Sequence, residues 1–187
     1  MGKIILGSSS PRRADILKSM KLDFEIIPSC YVEPHDQADF SYSYVEDLAY
    51  NKALDVAKKL NYEAVVIGAD TIVVVDNEIL GKPVDRQDAF NMLKRLSNRT
   101  HFVVTGVALV KSGTLETVVK SVTTYVTFEN LTEEQINYYI DSYKPYDKAG
   151  AYGIQELPEG YVKSFDGSLD NVIGLPSETL KEMLSKF

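Results

Sequence analysis

An aspartate at position 70 interrupts a run that is otherwise apolar, Val-Val-Ile-Gly-Ala-Asp-Thr-Ile-Val-Val-Val over residues 65–75. The length and β-branched content of that run predict a strand buried on both faces. A carboxylate there must be neutralised, paired or bound to a cation, because an isolated buried charge is very costly. Two roles meet that condition. One is a structural acid that kinks the strand or caps a loop beside Gly68; the other is a functional acid poised to move a proton or hold a metal ion. Further charges in positions that folding disfavours tip the balance towards chemistry.

Ser8-Ser9-Ser10-Pro11-Arg12-Arg13 reads as the start of a helix, with Ser10 as N-cap and Pro11 as the first helical residue. Arginine has the wrong sign for a first turn, which already carries partial positive charge from the helix dipole. A bound anion removes the conflict. Backbone N–H groups, the Ser8 and Ser10 hydroxyls and the Arg12 and Arg13 guanidinium groups together form a phosphate clamp. Two solvated surface arginines are the plainer alternative, and the motif alone does not decide. Lys52 is a second anomaly, because the stripe Val45, Leu48, Ala49, Ala53, Val56, Ala57, Leu60 puts position 52 on the buried side of its helix. Its ammonium either snorkels to solvent or meets a phosphate or an acid.

Lys82, in Gly81-Lys82-Pro83, is a third candidate cation, although the P-loop pattern is absent from the chain. Glu33, ahead of Pro34 in a loop, is the best partner acid for Asp70. His35 and His101 have no metal-ligand spacing to each other or to Cys30, and no Gly-x-Ser-x-Gly elbow supports a serine nucleophile. Residues 147–155, Asp-Lys-Ala-Gly-Ala-Tyr-Gly-Ile-Gln, combine two backbone-permissive glycines with an aromatic wall at Tyr152. Gln155 can present both a donor and an acceptor to the edge of a base. A plain connecting loop would have a similar composition.

These residues need elements to hold them. The pattern predicts strands over 3–6 and 24–27, with a helix from Pro11 between them. A second helix opens on a Ser43-x-x-Glu46 capping box and leads into the 65–75 strand. Asp76-Asn77 makes a tight turn into Glu78-Ile79-Leu80, and Asp85 caps the next helix. Strands over 101–111 and 115–128 form a hairpin joined at Ser112-Gly113, and Thr132-x-x-Gln135 caps a further helix ahead of Pro145. A strand over 161–165, a constrained turn at residues 167–176 and a helix from Ser177 complete the chain. Crossover-spaced strands mixed with hairpins predict an α/β fold with a mixed, twisted sheet and flanking helices. A compositional break near residue 80 suggests two lobes around a ligand cleft.

With 187 residues, the chain can bury a substantial core as a single domain of two lobes. The net charge of −7 argues against attraction to nucleic acid or to an anionic membrane, so phosphate binding has to come from a local cationic cluster. Cys30 is the only cysteine, which excludes an internal disulfide and suits a reducing cytosol. No segment approaches the ~18 apolar residues of a membrane span, and the opening residues match neither a signal-peptide core nor a myristoylation site. The expected setting is cytoplasmic.

Taken in order, Ser8-x-Ser10-Pro11-Arg12-Arg13, Gly68-Ala69-Asp70-Thr71, Gly81-Lys82-Pro83, residues 147–155 and Asn171-Val172-x-Gly174-Leu175-Pro176 resemble the Maf family of nucleoside triphosphate pyrophosphatases over nearly the whole chain. Residues 148–155 look like the branch that acts on dTTP and UTP rather than the one associated with 7-methyl-GTP. The resemblance implies an inosine-triphosphatase-like fold with a deep cleft, a divalent metal requirement (Mg²⁺ or Mn²⁺), frequent homodimers and a link to septum formation. By the same likeness, Asp70 is the proton acceptor and Arg12, Thr71 and Gln155 bear on base selection. Arg13, Lys52, Lys82 and Glu33 also match functional positions. One local departure is Asn98-Arg99 in place of the Ser-Gly often found before the Thr-His pair.

The combined expectation is hydrolysis of a nucleoside triphosphate between its α and β phosphates. Asp70 and Glu33 hold the metal, while Lys52, Lys82, Arg12 and Arg13 offset the phosphate charge. Ser8 and Ser10 bind phosphate oxygens, and Thr71 and Gln155 read a pyrimidine. The alternatives are a purine or methylated-guanine pyrophosphatase using the same machinery, and a nucleotide-binding regulator of cell division.

Overall fold

The computed structural model describes residues 2–34 and 39–187; His35 therefore lies outside the described residues. Among them, seven strands form one mixed sheet: β1 (Lys3–Leu6), β2 (Glu25–Ile26), β3 (Ala64–Val75), β4 (Glu78–Leu80), β5 (Thr100–Lys111), β6 (Thr117–Phe128) and β7 (Val162–Asp166). The order is β2-β1-β3-β5-β6-β7, and β4 joins on β3. β1 runs parallel to β2 and β3; the other pairings are antiparallel. Among the described residues, six α-helices flank the sheet: α1 (Pro11–Ser19), α2 (Tyr42–Ala57), α3 (Arg86–Leu96), α4 (Glu133–Tyr143), α5 (Leu169–Ile173) and α6 (Ser177–Lys186). None of the described helices is long and apolar enough to cross a membrane.

The feature that makes a site is a gap along one edge of β3. β1 pairs with the start of that strand, up to Leu6 opposite Ile67, and β4 pairs with its end, beginning at Leu80 opposite Val73. Residues 68–72 lie between those two registers. Side chains alternate across a strand, so both faces of β3 reach the same opening there.

Apolar burial follows the two ends of the sheet. On one face, α1 and α6 bring Leu17, Leu180 and Met183 against Ile4, Leu6, Ile67 and Leu109. Farther along that face, α3 and α4 bring Leu93, Ile136 and Ile140 against Val73, Val75, Val103 and Val126. The opposite face is covered by α2, whose Ala49, Ala53 and Val56 pack on Ile5, Val66 and Ala108. The 12-residue strands β3, β5 and β6 run through both ends. The chain also returns to the β1 end with α6, so the two ends of the sheet are not built from separate halves of the sequence.

Most predicted elements form, with local shifts. The 76–77 turn has both residues at positive φ, 53° and 64°, as a two-residue hairpin demands, and the Thr132–Gln135 capping box is complete. The expected box at Ser43 and Glu46 does not form. α2 starts earlier, Ser41 Oγ accepts the Tyr44 N–H at 3.2 Å, and Glu46 is taken by the Ser121 hydroxyl of β6 at 2.6 Å. A strand partner outcompetes a local cap there. The strand expected over 24–27 contracts to two residues. The hairpin turn extends through Leu115, which has φ 57°, so β6 begins later than expected. α5 forms where only a constrained turn was foreseen.

α2 lies unusually close to the sheet. A Cβ at Gly68 would sit 2.2 Å from the Ala49 carbonyl oxygen, and one at Gly106 would sit 2.4 Å from that of Val45. Gly68 is thus a contact surface for the helix rather than the hinge of a kink. Gly68→Ala should destabilise at the upper end of the ~1–3 kcal/mol seen for overpacking. In a chain of this size that lowers the thermal midpoint by roughly 5–10 °C. An unchanged midpoint in a melting experiment would mean that α2 can move off the sheet freely.

Candidate active site

The gap beside β3 opens into a cleft of about 870 Å³, within the range of small-molecule sites. Ser8, Ser10, Arg12, Arg13, Glu33, Lys52, Asp70, Thr71, Lys82 and Gln155 all line it, so the candidates drawn from distant motifs meet in one place. They arrive from the first turn of α1, the loop after β2, the middle of α2, the gap in β3, the turn after β4 and the loop after α4.

Asp70 is 8% exposed and its Oδ1 accepts a hydrogen bond from Lys52 Nζ. The Lys52 side chain is only 15% exposed, and Nζ also lies 2.6 Å from Glu33 Oε1. Lys52 therefore turns inward and ties the two acids together instead of snorkelling. Burial pushes the Asp70 carboxyl above the usual carboxylate range, outweighing the attraction of Lys52 and Arg13. A carboxylate made more basic in this way is suited to accept a proton.

The two arginines of α1 divide. Arg13 turns inward, donating from Nε to the Gly174 carbonyl at 2.8 Å, from one terminal nitrogen to Ser8 Oγ at 3.1 Å and from the other to Thr71 Oγ1 at 3.2 Å. It braces the wall of the cleft with neutral oxygens. Arg12 is more exposed and, among the described residues, reaches Asp147 alone, at 3.5 Å. Ser10 caps α1 through the Arg13 N–H at 3.5 Å, and Ser8 Oγ accepts the Ser10 N–H at 3.2 Å. The Lys82 ammonium and the Gln155 amide have no partner among the described residues, so both remain available to a ligand.

Several neighbours were not legible from spacing. Lys148 is buried between Asp147 at 2.9 Å and Glu156 at 3.2 Å, and its aliphatic stem lies where a Cβ on Gly153 would come within 2.8 Å. The Gly153 N–H donates to the Tyr139 hydroxyl at 3.0 Å, fixing the loop that carries Gln155. Thr105 and Asn171 sit behind Thr71. Lys148 and Asn171 belong to the motif stretches, but sequence does not reveal which way they point.

A divalent cation is a matter of donor chemistry. Among the described residues no group of three or more His, Cys, Asp or Glu is placed to hold one. Asp70 and Glu33 supply two hard oxygen donors on either side of Lys52 Nζ. That set suits Mg²⁺ or Mn²⁺ when substrate phosphates and water complete the shell.

Residues 3–187 match the family model described as Maf-like protein. The chain belongs to the Maf family. It is 46% identical over 184 residues to the dTTP/UTP pyrophosphatase of Thermoanaerobacter sp. (strain X514), covering 98% of this chain and 96% of that one. It is 44% identical over 187 residues to the dTTP/UTP pyrophosphatase of Ruminiclostridium cellulolyticum, covering 100% and 96%. A HAM1 protein from Coxiella burnetii aligns over 100% of both chains with a TM-score of 0.54 at 17% identity. The Staphylococcus aureus Ham1 protein aligns over 98% of both, with a TM-score of 0.50 at 17% identity. These two likenesses show the inosine-triphosphatase-like fold alone.

The Asn98-Arg99 departure from the Maf pattern lies away from the cleft, where Arg99 pairs with Asp76. His101 beside it is 1% exposed and its Nε2 lies 2.6 Å from the hydroxyl of Tyr152, a cleft-lining residue. Burial lowers the His101 pKa from 6.5 to about 4. The unfolded chain therefore binds a proton that the folded one refuses, and stability is lost as pH falls from ~6.5 towards ~4. Between pH 6.5 and 5 this Maf protein should lose about 1.5 kcal/mol from this group. Urea titrations on wild type and His101→Gln check it: the variant's stability should be flatter over that window, and parallel curves would rule the effect out.

Proposed function

We propose that this protein hydrolyses dTTP and UTP to the nucleoside monophosphate and pyrophosphate. The observation that carries the reading is the buried Asp70, held by Lys52 at the floor of a cleft whose walls carry Arg12, Arg13 and Lys82. Simple anion binding has no use for a carboxylate at the centre of a cationic cleft. A hydrolase does.

In this mechanism Asp70 orients the attacking water and takes its proton as water adds across the α–β anhydride and the bond to the pyrophosphate oxygen breaks. Lys52 keeps the Asp70 and Glu33 carboxylates in place. Arg12 and Lys82 offset the charge of the triphosphate and of the leaving pyrophosphate. The long, exposed contact of Arg12 with Asp147 is weak enough to be exchanged for a phosphate. Ser8, Ser10 and the first N–H groups of α1 bind phosphate oxygens. Asp70 and Glu33 would hold Mg²⁺ or Mn²⁺, which when bound neutralises phosphate charge and polarises the reacting phosphate. Thr71 and Gln155 read the pyrimidine edge, and that assignment draws support from the dTTP/UTP pyrophosphatase names of the relatives.

The purified protein, given Mg²⁺ or Mn²⁺ and a panel of dTTP, UTP, CTP, ATP, GTP, ITP and 7-methyl-GTP, should release pyrophosphate chiefly from dTTP and UTP. Asp70→Asn should fold and lose at least about 10²–10⁴-fold in turnover, the usual contribution of a general base. Near-normal turnover in that variant would remove Asp70 from the mechanism. Gln155→Ala should change the preference among bases more than the maximal rate, and equal losses on every nucleotide would count against base reading. Turnover confined to purines would overturn the substrate assignment.

A further inference from the structure

Behind Thr71, on the face of β3 away from α2, four groups form a continuous hydrogen-bonded line. Arg13 donates to Thr71 Oγ1 at 3.2 Å, Thr71 Oγ1 lies 2.8 Å from Thr105 Oγ1, and Thr105 Oγ1 lies 2.9 Å from the Asn171 carbonyl oxygen. Thr71 and Thr105 are register partners on β3 and β5. Thr105 is fully buried, and the Asn171 amide is locked at 3.1 Å to both the Val103 carbonyl and Thr124 Oγ1.

The line has only one consistent direction. Arginine carries five donors and no acceptor, a carbonyl oxygen only accepts, and a hydroxyl has a single proton to give. The Asn171 carbonyl, near the end of α5, is one that a helix leaves without an intrahelical partner, so Thr105 spends its proton there. Thr105 then has only lone pairs to offer Thr71, and the Thr71 proton points inward to Thr105. The Gly174 carbonyl, at 3.4 Å, is a longer second recipient, and it also lies within the protein. Arg13 blocks reversal from the other end. Thr71 lines the cleft, and with its proton committed inward its oxygen has only a lone pair to offer a ligand there.

We infer that Thr105 is a positioning residue for base selection: by absorbing the Thr71 proton it fixes Thr71 Oγ1 as a hydrogen-bond acceptor for the substrate base. The inference rests on the assignment of Thr71 to base reading made above. Uracil and thymine present an N3–H donor to such an oxygen. Cytosine presents the N3 lone pair, which an acceptor repels. Hypoxanthine and guanine carry an equivalent ring N–H, so the line sorts these bases from cytosine and adenine, and ring size has to sort pyrimidine from purine. Without Thr105, only the longer Gly174 contact holds the Thr71 proton, so the hydroxyl can turn and donate to cytosine.

The test measures kcat/KM for UTP and CTP in wild type, Thr105→Val and Thr105→Ser, with thermal melting as a check on folding. Wild type should prefer UTP. In Thr105→Val the UTP-to-CTP ratio should fall roughly 10- to 100-fold, the usual weight of one buried, unpaired polar group. Thr105→Ser, which keeps the hydroxyl, should retain the wild-type ratio. A packing defect lowers both substrates together and leaves the ratio alone, so equal losses in Thr105→Val overturn the proposal. Loss of discrimination in Thr105→Ser also overturns it. On wild type, N3-methyl-UTP should be turned over about 10- to 100-fold less efficiently than UTP; equal efficiency overturns the acceptor assignment even if Thr105→Val does not fold. If wild type turns over CTP as readily as UTP, the base assignment itself fails. If wild type prefers UTP and Thr105→Val keeps the full preference, the role of Thr105 alone fails.

Discussion

The site depends on how closely α2 lies against the sheet. At Gly68 and Gly106 the helix backbone occupies the space that a side chain would need, and these two glycines sit on β3 and β5 around the register pair Asp70 and Gly106. Ala49 rests on Gly68, so Lys52, about one turn further along α2, comes over Asp70. A bulkier residue at either glycine would lift the helix, lengthen the Lys52–Asp70 contact and leave a buried carboxylate without its cation. Breaking a buried pair from one side costs about 3–5 kcal/mol, so packing and charge placement are one constraint here.

The second constraint is the split edge of β3. A central strand normally has both edges satisfied along its length, and ligand sites in open sheets form where neighbouring strands part. Here β1 leaves at Ile67 and β4 arrives at Val73. The interval is long enough for Asp70 and Thr71 to line the cleft while β5 pairs their backbone on the other edge. The helix N-terminus of α1 follows directly from β1, which brings its serines and arginines to the same gap. Rigid strands set the reacting groups, and loops bring Glu33, Lys82 and Gln155.

Much of this was legible in the sequence because the decisive residues break local rules. Asp70 in an apolar strand, Lys52 on an apolar helical stripe and two arginines in a first turn are each unfavourable for folding alone. All three conflicts resolve into one cleft. What could not be read was direction. Arg12 and Arg13 look alike in sequence, yet one reaches the cleft mouth and the other is consumed by three neutral oxygens. The capping box at Ser43 failed because Glu46 found a partner on β6, a contact 75 residues away. Thr105, His101 and Tyr139 carried no signal, since a buried hydroxyl or imidazole in a strand or helix pattern resembles ordinary core until its partner is seen.

The alternation of β3 also separates two tasks. Asp70 faces α2, with Lys52 and Glu33, and that face holds every acid in the proposed reaction. Thr71, the next residue, faces the opposite side, where Arg13, Thr105 and the Gly174 carbonyl surround its hydroxyl with neutral acceptors and one fixed cation. A charge change at Asp70 during turnover is therefore met by Lys52 on its own face, while the hydroxyl across the strand keeps the polarity that its neighbours impose. Arg13 touches both sides of this arrangement: it is bonded to Thr71 and feels the field of Asp70. Removing it would disturb both the Thr71 hydroxyl and the Asp70 carboxyl, the groups assigned to recognition and catalysis in the proposed reaction, whereas Thr105 is bonded only on the Thr71 side. In the proposed reaction, that separation keeps the base contact at Thr71 apart from the charge carried by Asp70.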